Sequence, residues 1–274
     1  MKRVVLNKSE PPIFTNQEKL VIDKYTKIQN IKSEENNNID HLIFMNDGYV
    51  ELDSNGYPVD LEQDTFFMKN DKYKNFKYQV NLYLKSLQFA DVDRFSQLGT
   101  ILDIGCGKGG GISFYKDFYK FKNYIGIDLT EININMAKKH TNGIDFYIAT
   151  ATDLPIKDGS VDVITSIESI AYYHPLLSFI KEAARVLKTD GKVIISNHFN
   201  KQEEERIEEL FLKNNFILNS KVDITKNVSI ACAISKFRFL DISISESRMM
   251  NFDEQRYLDG SQNTYKSYSF INKN

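Results

Sequence analysis

Asp103 stands two residues ahead of a turn dense in glycine, with Gly105, Gly107, Gly109, Gly110 and Gly111 following it. A carboxylate there can accept hydrogen bonds from a ligand's ammonium group. Glycine reaches positive φ and carries no Cβ, so a ligand lies directly against the backbone. Asp128 closes the run Asn123–Asp128, 18 residues after Gly110 (128 − 110). Gly105-x-Gly107-x-x-Gly110 by itself fits the dinucleotide fingerprint and leaves an NAD(P)-dependent oxidoreductase open. Two features point elsewhere. Asp103 is one, and the other is a pair of downstream segments, Ala151–Pro155 and Arg185–Gly191, that have no role in that fingerprint.

A sheet of strands alternating with helices must position these residues. Thr100–Leu102 reads as a buried strand and Ile112–Lys122 as the amphipathic helix after the glycine turn, its free N–H groups facing the same space. Further strands are expected over Asn123–Asp128, Asp145–Ala149, Val161–Ser166, Gly191–Ser196, Phe216–Ile224 and Tyr265–Ile271. Helices are expected over Lys72–Leu87, Thr130–His140, Pro175–Leu187 and Gln202–Asn214, with a helical patch near Gln17–Ile28. Repeated alternation demands a parallel sheet with right-handed crossovers. Ser33–Asn38 is solvated linker by composition. Asn46-Asp47-Gly48-Tyr49 reads as a turn with an aromatic at its exit.

The 274 residues are 42% hydrophobic and 26% charged, enough for one large domain with an appended lid. Thirty-five basic residues against 37 acidic ones leave a net charge of −2, which disfavours a nucleic-acid partner. Cys106 and Cys232 are too few for a disulfide framework, so a reducing cytoplasm is the natural location. No apolar run suits a signal peptide or a membrane span. No His/Asp/Glu cluster has metal-ligand spacing.

Asp103-x-Gly105-x-Gly107, the strand-two acid Asp128, the Asp153-Leu154-Pro155 turn and Arg185-Val186-Leu187-Lys188-x-x-Gly191 together resemble the class I S-adenosylmethionine-dependent methyltransferases. Asn46–Tyr49, Gly109–Gly111 and Asp223–Val228 are similar to small-molecule O-methyltransferases of the phthiotriol and microcystin types. The resemblance implies a Rossmann-like α/β fold: seven strands, mostly parallel, helices on both faces, the last strand antiparallel, and a helical lid. Residues 1–95 would form an N-terminal helical or lid region. Residues 96–274 would form the cofactor-binding domain, with a lid insertion at about 225–262. Asp103 would hold the methionine ammonium of S-adenosyl-L-methionine, directly or through water. Gly105 and Gly107 would let the loop pass under methionine and ribose. Asp128, with Leu129 beside it, would take the ribose, and Ala151, Thr152 and Asp153 would bracket the adenine edge. The Ser166 backbone would face the sulfonium, and Tyr49 would close over the cofactor.

In-line methyl displacement depends largely on alignment, and a hydroxyl acceptor also needs a base. After the fourth strand the chain reads Glu168-Ser169-Ile170-Ala171-Tyr172-Tyr173-His174-Pro175. The phthiotriol-type relatives place a histidine where this chain has Ala171. Glu168 and His174 are therefore the candidate bases, with His198 a third. The expected activity is methyl transfer to a small, natural-product or lipid-like acceptor, on oxygen first. Nitrogen is the alternative atom, because a neutral amine needs little base. An oxidoreductase or a cofactor-binding module without catalysis are the alternatives of another class.

Overall fold

Leu98–Ile104 forms β1, and the glycine turn leaves from its carboxyl end into α3 (Gly110–Phe118). The computed structural model describes residues 4–5, 12–35, 44–59, 72–93, 98–239 and 263–274. Before β1 come α1 (Asn16–Glu35) and α2 (Lys77–Phe89). After α3 follow β2 (Phe121–Asp128), α4 (Glu131–His140), β3 (Asp145–Ile148) and β4 (Val161–Ile167). The chain continues through α5 (Leu176–Val186), β5 (Leu187–Phe199), α6 (Lys201–Lys213), β6 (Phe216–Asp223), α7 (Thr225–Phe239) and β7 (Thr264–Asn272).

The seven strands lie in the order β3-β2-β1-β4-β5-β7-β6. Strands β1 to β5 run parallel, and β7 enters antiparallel between β5 and β6. Central strands buried on both faces explain the near-continuous apolar runs in the sequence. Along β1 and β4 the side chains alternate between two cores. Ile101 and Val163 join the cluster with Val80 and Leu87 of α2 and Ile112 of α3. Leu102 and Ile164 join the cluster with Phe179 of α5 and Phe211 of α6. Cofactor-type crevices form at the carboxyl ends of such strands, where the order reverses on either side of β1.

The architecture matches the expected one, with differences at element ends. The helix after the glycine turn stops at Phe118 rather than Lys122, because Phe121 already pairs with Leu98 as the first residue of β2. Strand β5 runs on to Phe199, since β7 supplies partners for Asn197 and His198, polar residues that read as loop in isolation. Helix α1 extends past Ile28 to Glu35 and takes in the start of the expected linker. Of the expected lid insertion 225–262, residues 225–239 form α7, and the remainder lies outside the described residues. Much of the N-terminal region also lies outside them.

Candidate active site

A cavity opens at the carboxyl ends of β1, β2 and β4, and α1 lies along one side of it. Its empty space, open solvent included, is about 870 Å³. The floor is the glycine turn. Gly105, Gly107 and Gly109 have φ of +72°, +53° and +81°, the left-handed region that other residues enter only with strain. A Cβ on Gly105 would stand 2.4 Å from the Ser169 Cβ, so the close approach of the post-β4 turn requires glycine there. A Cβ on Gly107 would meet only Met45, at 3.6 Å or more, on the cavity side.

Asp128 lines the cavity and is 8% exposed. Its Oδ1 accepts from the Thr130 backbone N–H at 2.9 Å, the Thr130 hydroxyl at 2.8 Å and the Asn133 amide at 3.2 Å. Its Oδ2 accepts from the Gly107 N–H at 2.9 Å. An ionised carboxylate has about four acceptor positions, so Oδ2 retains capacity for a ligand hydroxyl. The neighbouring Asn133 Oδ1 is buried and has no partner, yet Asn133 lines the same cavity. Buried acceptors are nearly always satisfied, so this one suits a ligand donor. Ile127, Leu129, Ala149 and Ala151 add an apolar slot beside it. The donor and acceptor set fits a nucleoside bearing a diol.

Across the cavity stands Glu168, just past the end of β4. Its φ is +56°, a conformation that costs a non-glycine residue about 1–3 kcal/mol and persists only where the surroundings enforce it. They do so here. The Glu168 N–H donates to the Ser196 carbonyl at 2.8 Å. Its Oε1 accepts from the Asp47 N–H and from the Tyr265 hydroxyl, both at 2.9 Å. Beneath the turn, Ser166, Ser169 and Tyr173 pool their hydroxyls, and both Ser169 and Tyr173 donate to the Ile104 carbonyl. The post-β4 turn is thereby bound to the end of β1.

The other walls are aromatic. Tyr25 of α1 meets Tyr172 edge to face at 5.7 Å, and Tyr83 of α2 lines the same space. Burial, Tyr172 and the charges of Asp128 and Glu168 push the Tyr25 phenol well above its ordinary range. Burial and the nearby Asp103 carboxylate do the same to Tyr83. Both stay neutral phenols at physiological pH, so neither is a base.

Of the residues expected from the sequence, the cavity brings together Gly105, Gly107, Asp128, Leu129, Ala151 and Glu168. The others lie off its lining. Asp103 is buried behind the glycine turn and accepts from the Thr165 hydroxyl at 2.7 Å. Burial, partly offset by Thr165 and reinforced by Asp128, pushes its carboxyl up to about 7. Thr152 faces Thr150, and Asp153 is exposed. Ser166 is fully buried. Tyr49 packs against Phe89 of α2 at 6.2 Å, 4% exposed, a core position rather than a closing flap. His174 is exposed. Arg185 holds the Asp153-Leu154-Pro155 turn through the Leu154 and Ile156 carbonyls, while Glu182 accepts the Leu154 N–H. The two downstream motifs are thus one structural unit.

Sequence reasoning missed Glu18, Val21 and Tyr25 of α1, together with Met45 and Asn133. One signal was available. Thr15-x-x-Glu18 is a capping box, with Thr15 N–H and hydroxyl donating to Glu18 at 2.8 and 2.9 Å. Among the described residues, no group of three or more His, Cys, Asp or Glu is placed to hold a metal ion, and no helix is long and apolar enough to cross a membrane.

Residues 102–195 match a family described as a methyltransferase domain. The fatty-acid O-methyltransferase of Mycolicibacterium smegmatis is 31% identical over 154 residues, 56% of this chain and 51% of that protein. The chain thus spans about half the length of this relative, and the same holds for the phthiotriol-type relatives of Mycobacterium tuberculosis. A longer match, 26% over 247 residues, takes in 84% of the chain and 86% of the phthiotriol/phenolphthiotriol dimycocerosates methyltransferase of Mycobacterium leprae. Among solved structures, geranyl diphosphate C-methyltransferase from Streptomyces coelicolor, complexed with S-adenosyl-L-homocysteine, superposes with a TM-score of 0.63 at 15% identity. It covers 96% of this chain and all of that one, a likeness of fold.

Proposed function

Since the chain carries a methyltransferase domain on a Rossmann-like sheet, we propose that it catalyses S-adenosylmethionine-dependent methyl transfer to a hydroxyl of a small, lipid-like acceptor. The observation that carries this reading is one cavity holding two unlike walls. Asp128, Asn133 and Gly105–Gly107 form a polar wall suited to a nucleoside, and Glu168 lines the same cavity with Tyr25, Tyr83 and Tyr172. When bound, S-adenosylmethionine supplies an electrophilic methyl group on a sulfonium. Asp128 and Asn133 would hold the ribose, and Leu129 and Ala151 would flank the adenine. The aromatic wall excludes water and aligns an apolar acceptor, which is where much of the acceleration of a displacement arises. Glu168 takes the acceptor's hydroxyl proton. The curated relatives named above act, by their names, on fatty acids and phthiotriol-type lipids, which supports an acceptor of that kind here. A cytoplasmic location accords with the two cysteines, Cys106 buried and unpaired.

The test is calorimetry followed by turnover. S-adenosylmethionine and its demethylated product should bind in the micromolar range, and NADH far more weakly. Labelled methyl should then pass to hexadecanol rather than hexadecylamine. Tight NADH binding without S-adenosylmethionine binding overturns the cofactor, and transfer to the amine alone moves the reaction to nitrogen.

A further inference from the structure

Four segments far apart in sequence close a ring of contacts around Glu168. The tip of the first is Asp47, whose backbone N–H donates to Glu168 Oε1 at 2.9 Å while its own Oδ2 lies 2.9 Å from His198 Nε2. His198 sits on β5 directly opposite Tyr265 of β7, the two rings edge to face at 4.6 Å. Tyr265 is fully buried, and its hydroxyl returns to Glu168 Oε1 at 2.9 Å. From these contacts we propose that Asp47 and His198 are positioning residues, which act on the acceptor's proton only by fixing the Glu168 carboxylate. The proposal rests on the reading of Glu168 as the proton acceptor.

The placement of Asp47 is built, not incidental. Asn46 accepts the Gly48 N–H at 2.9 Å on its side chain, and its amide donates to the Gln79 carbonyl of α2 at 3.3 Å. Gly48 has φ of +86°, and a Cβ there would stand 2.9 Å from the Tyr78 Cβ. The Tyr49 N–H donates to the Tyr78 carbonyl at 2.9 Å, and Asn81 donates to the Tyr49 carbonyl at 3.3 Å. These bonds hold the turn against α2 on both sides of Asp47. Asn46, Gly48 and Tyr49 anchor the turn, and Asp47 between them reaches the site. His198 does not line the cavity, whereas Glu168 does. The imidazole therefore acts through its partners and not on the acceptor.

A double-mutant cycle tests this on the full chain. In the wild-type background, Asp47→Ala or His198→Gln should lower kcat about 10- to 100-fold, the size of effect a small misplacement produces. S-adenosylmethionine affinity should stay within about twofold. In a Glu168→Gln background the same changes should cost less than about twofold, because the group they orient has lost its role. Full additivity overturns the proposal. Asp47→Asn, which still accepts from His198, should recover most of the loss. If Asp47→Ala fails to fold, Tyr265→Phe removes one donor to Glu168 and must show the same non-additivity.

A second readout needs no turnover and separates this proposal from the functional reading. The chain has only four histidines, so the His198 ring nitrogens can be assigned by NMR with His198→Gln. Glu168→Gln should move the His198 ring signals and leave those of His140 and His174 in place. Unmoved His198 signals overturn the coupling, whatever the acceptor proves to be. Absence of methyl transfer by the wild-type chain, with the coupling present, overturns the functional reading instead.

Discussion

Thr150, just beyond β3, donates its hydroxyl hydrogen to the carboxylate of Glu18 on α1, 132 positions earlier in the chain. The same carboxylate caps α1 through Thr15, so a single buried side chain both starts the helix and ties it to the sheet. Val21 and Tyr25, one and two turns on, then face the cavity.

Glu18→Ala should therefore release α1. Loss of the capping box costs about 0.5–2 kcal/mol, and the tie to Thr150 goes with it. Amides of α1 should lose protection from hydrogen exchange while those of β1 and β4 keep theirs. The KM for the acceptor should rise about tenfold, roughly 1.4 kcal/mol, as the Tyr25 wall leaves. Unchanged exchange in α1 would show that other contacts hold the helix.

Two glycines with similar backbone angles should respond differently to alanine. At Gly105 a Cβ meets Ser169 at 2.4 Å, whereas at Gly159, φ +57°, nothing lies within 4 Å. Gly159→Ala should cost only the left-handed strain, about 1–2 kcal/mol. Gly105→Ala should lower the melting temperature further and abolish S-adenosylmethionine binding, because the post-β4 turn must move. Equal melting temperatures for the two variants would refute the packing argument.

The Asp103 carboxyl, pushed up to about 7 from 3.8 by burial, makes stability depend on pH. Between these values the folded chain holds a proton that the unfolded chain has released. The contribution is therefore complete below about pH 4 and is lost as pH rises through about 7. Asp103→Asn has no proton to lose. Denaturant midpoints measured across this window should show the wild type falling relative to the variant as pH rises. Parallel curves would mean that Asp103 ionises normally.

Glu168→Gln should lower kcat roughly 10²–10⁴-fold, the usual worth of a general base, with S-adenosylmethionine binding nearly unchanged. His174→Ala should leave kcat within about twofold, since that side chain is exposed and away from the cavity. Steady-state kinetics on hexadecanol decides between them. A collapse of turnover in His174→Ala alone would reverse the assignment.

Local chemistry made the sheet and its cofactor-facing end legible in the sequence. Buried parallel strands need apolar runs, a turn at positive φ needs glycine, and Asp128 ends its strand within reach of the Gly107 N–H. What stayed hidden depends on pairing across the fold. His198 reads as a residue after a strand until β7 is laid beside it. Asp47 reads as a turn residue until α2 fixes the turn and points it at Glu168. The motif of Tyr49 points to the cofactor, yet its aromatic packs against Phe89 of α2, and Asp47, two residues earlier, does the reaching. Asp103 precedes the right glycines, but its side chain turns to Thr165 behind them.

Strand β7 lies between two strands that precede it in the chain, so the sheet is continuous only once the last strand is in place. β1 to β5 form one parallel run, which carries the glycine turn, Asp128 and Asn133. β6 joins β5 only through residues 264–272, and Tyr265 is among the first of these. The donor that Tyr265 gives Glu168 therefore comes from the last strand in the chain, whereas Asp128 and Asn133 belong to the parallel run that precedes it.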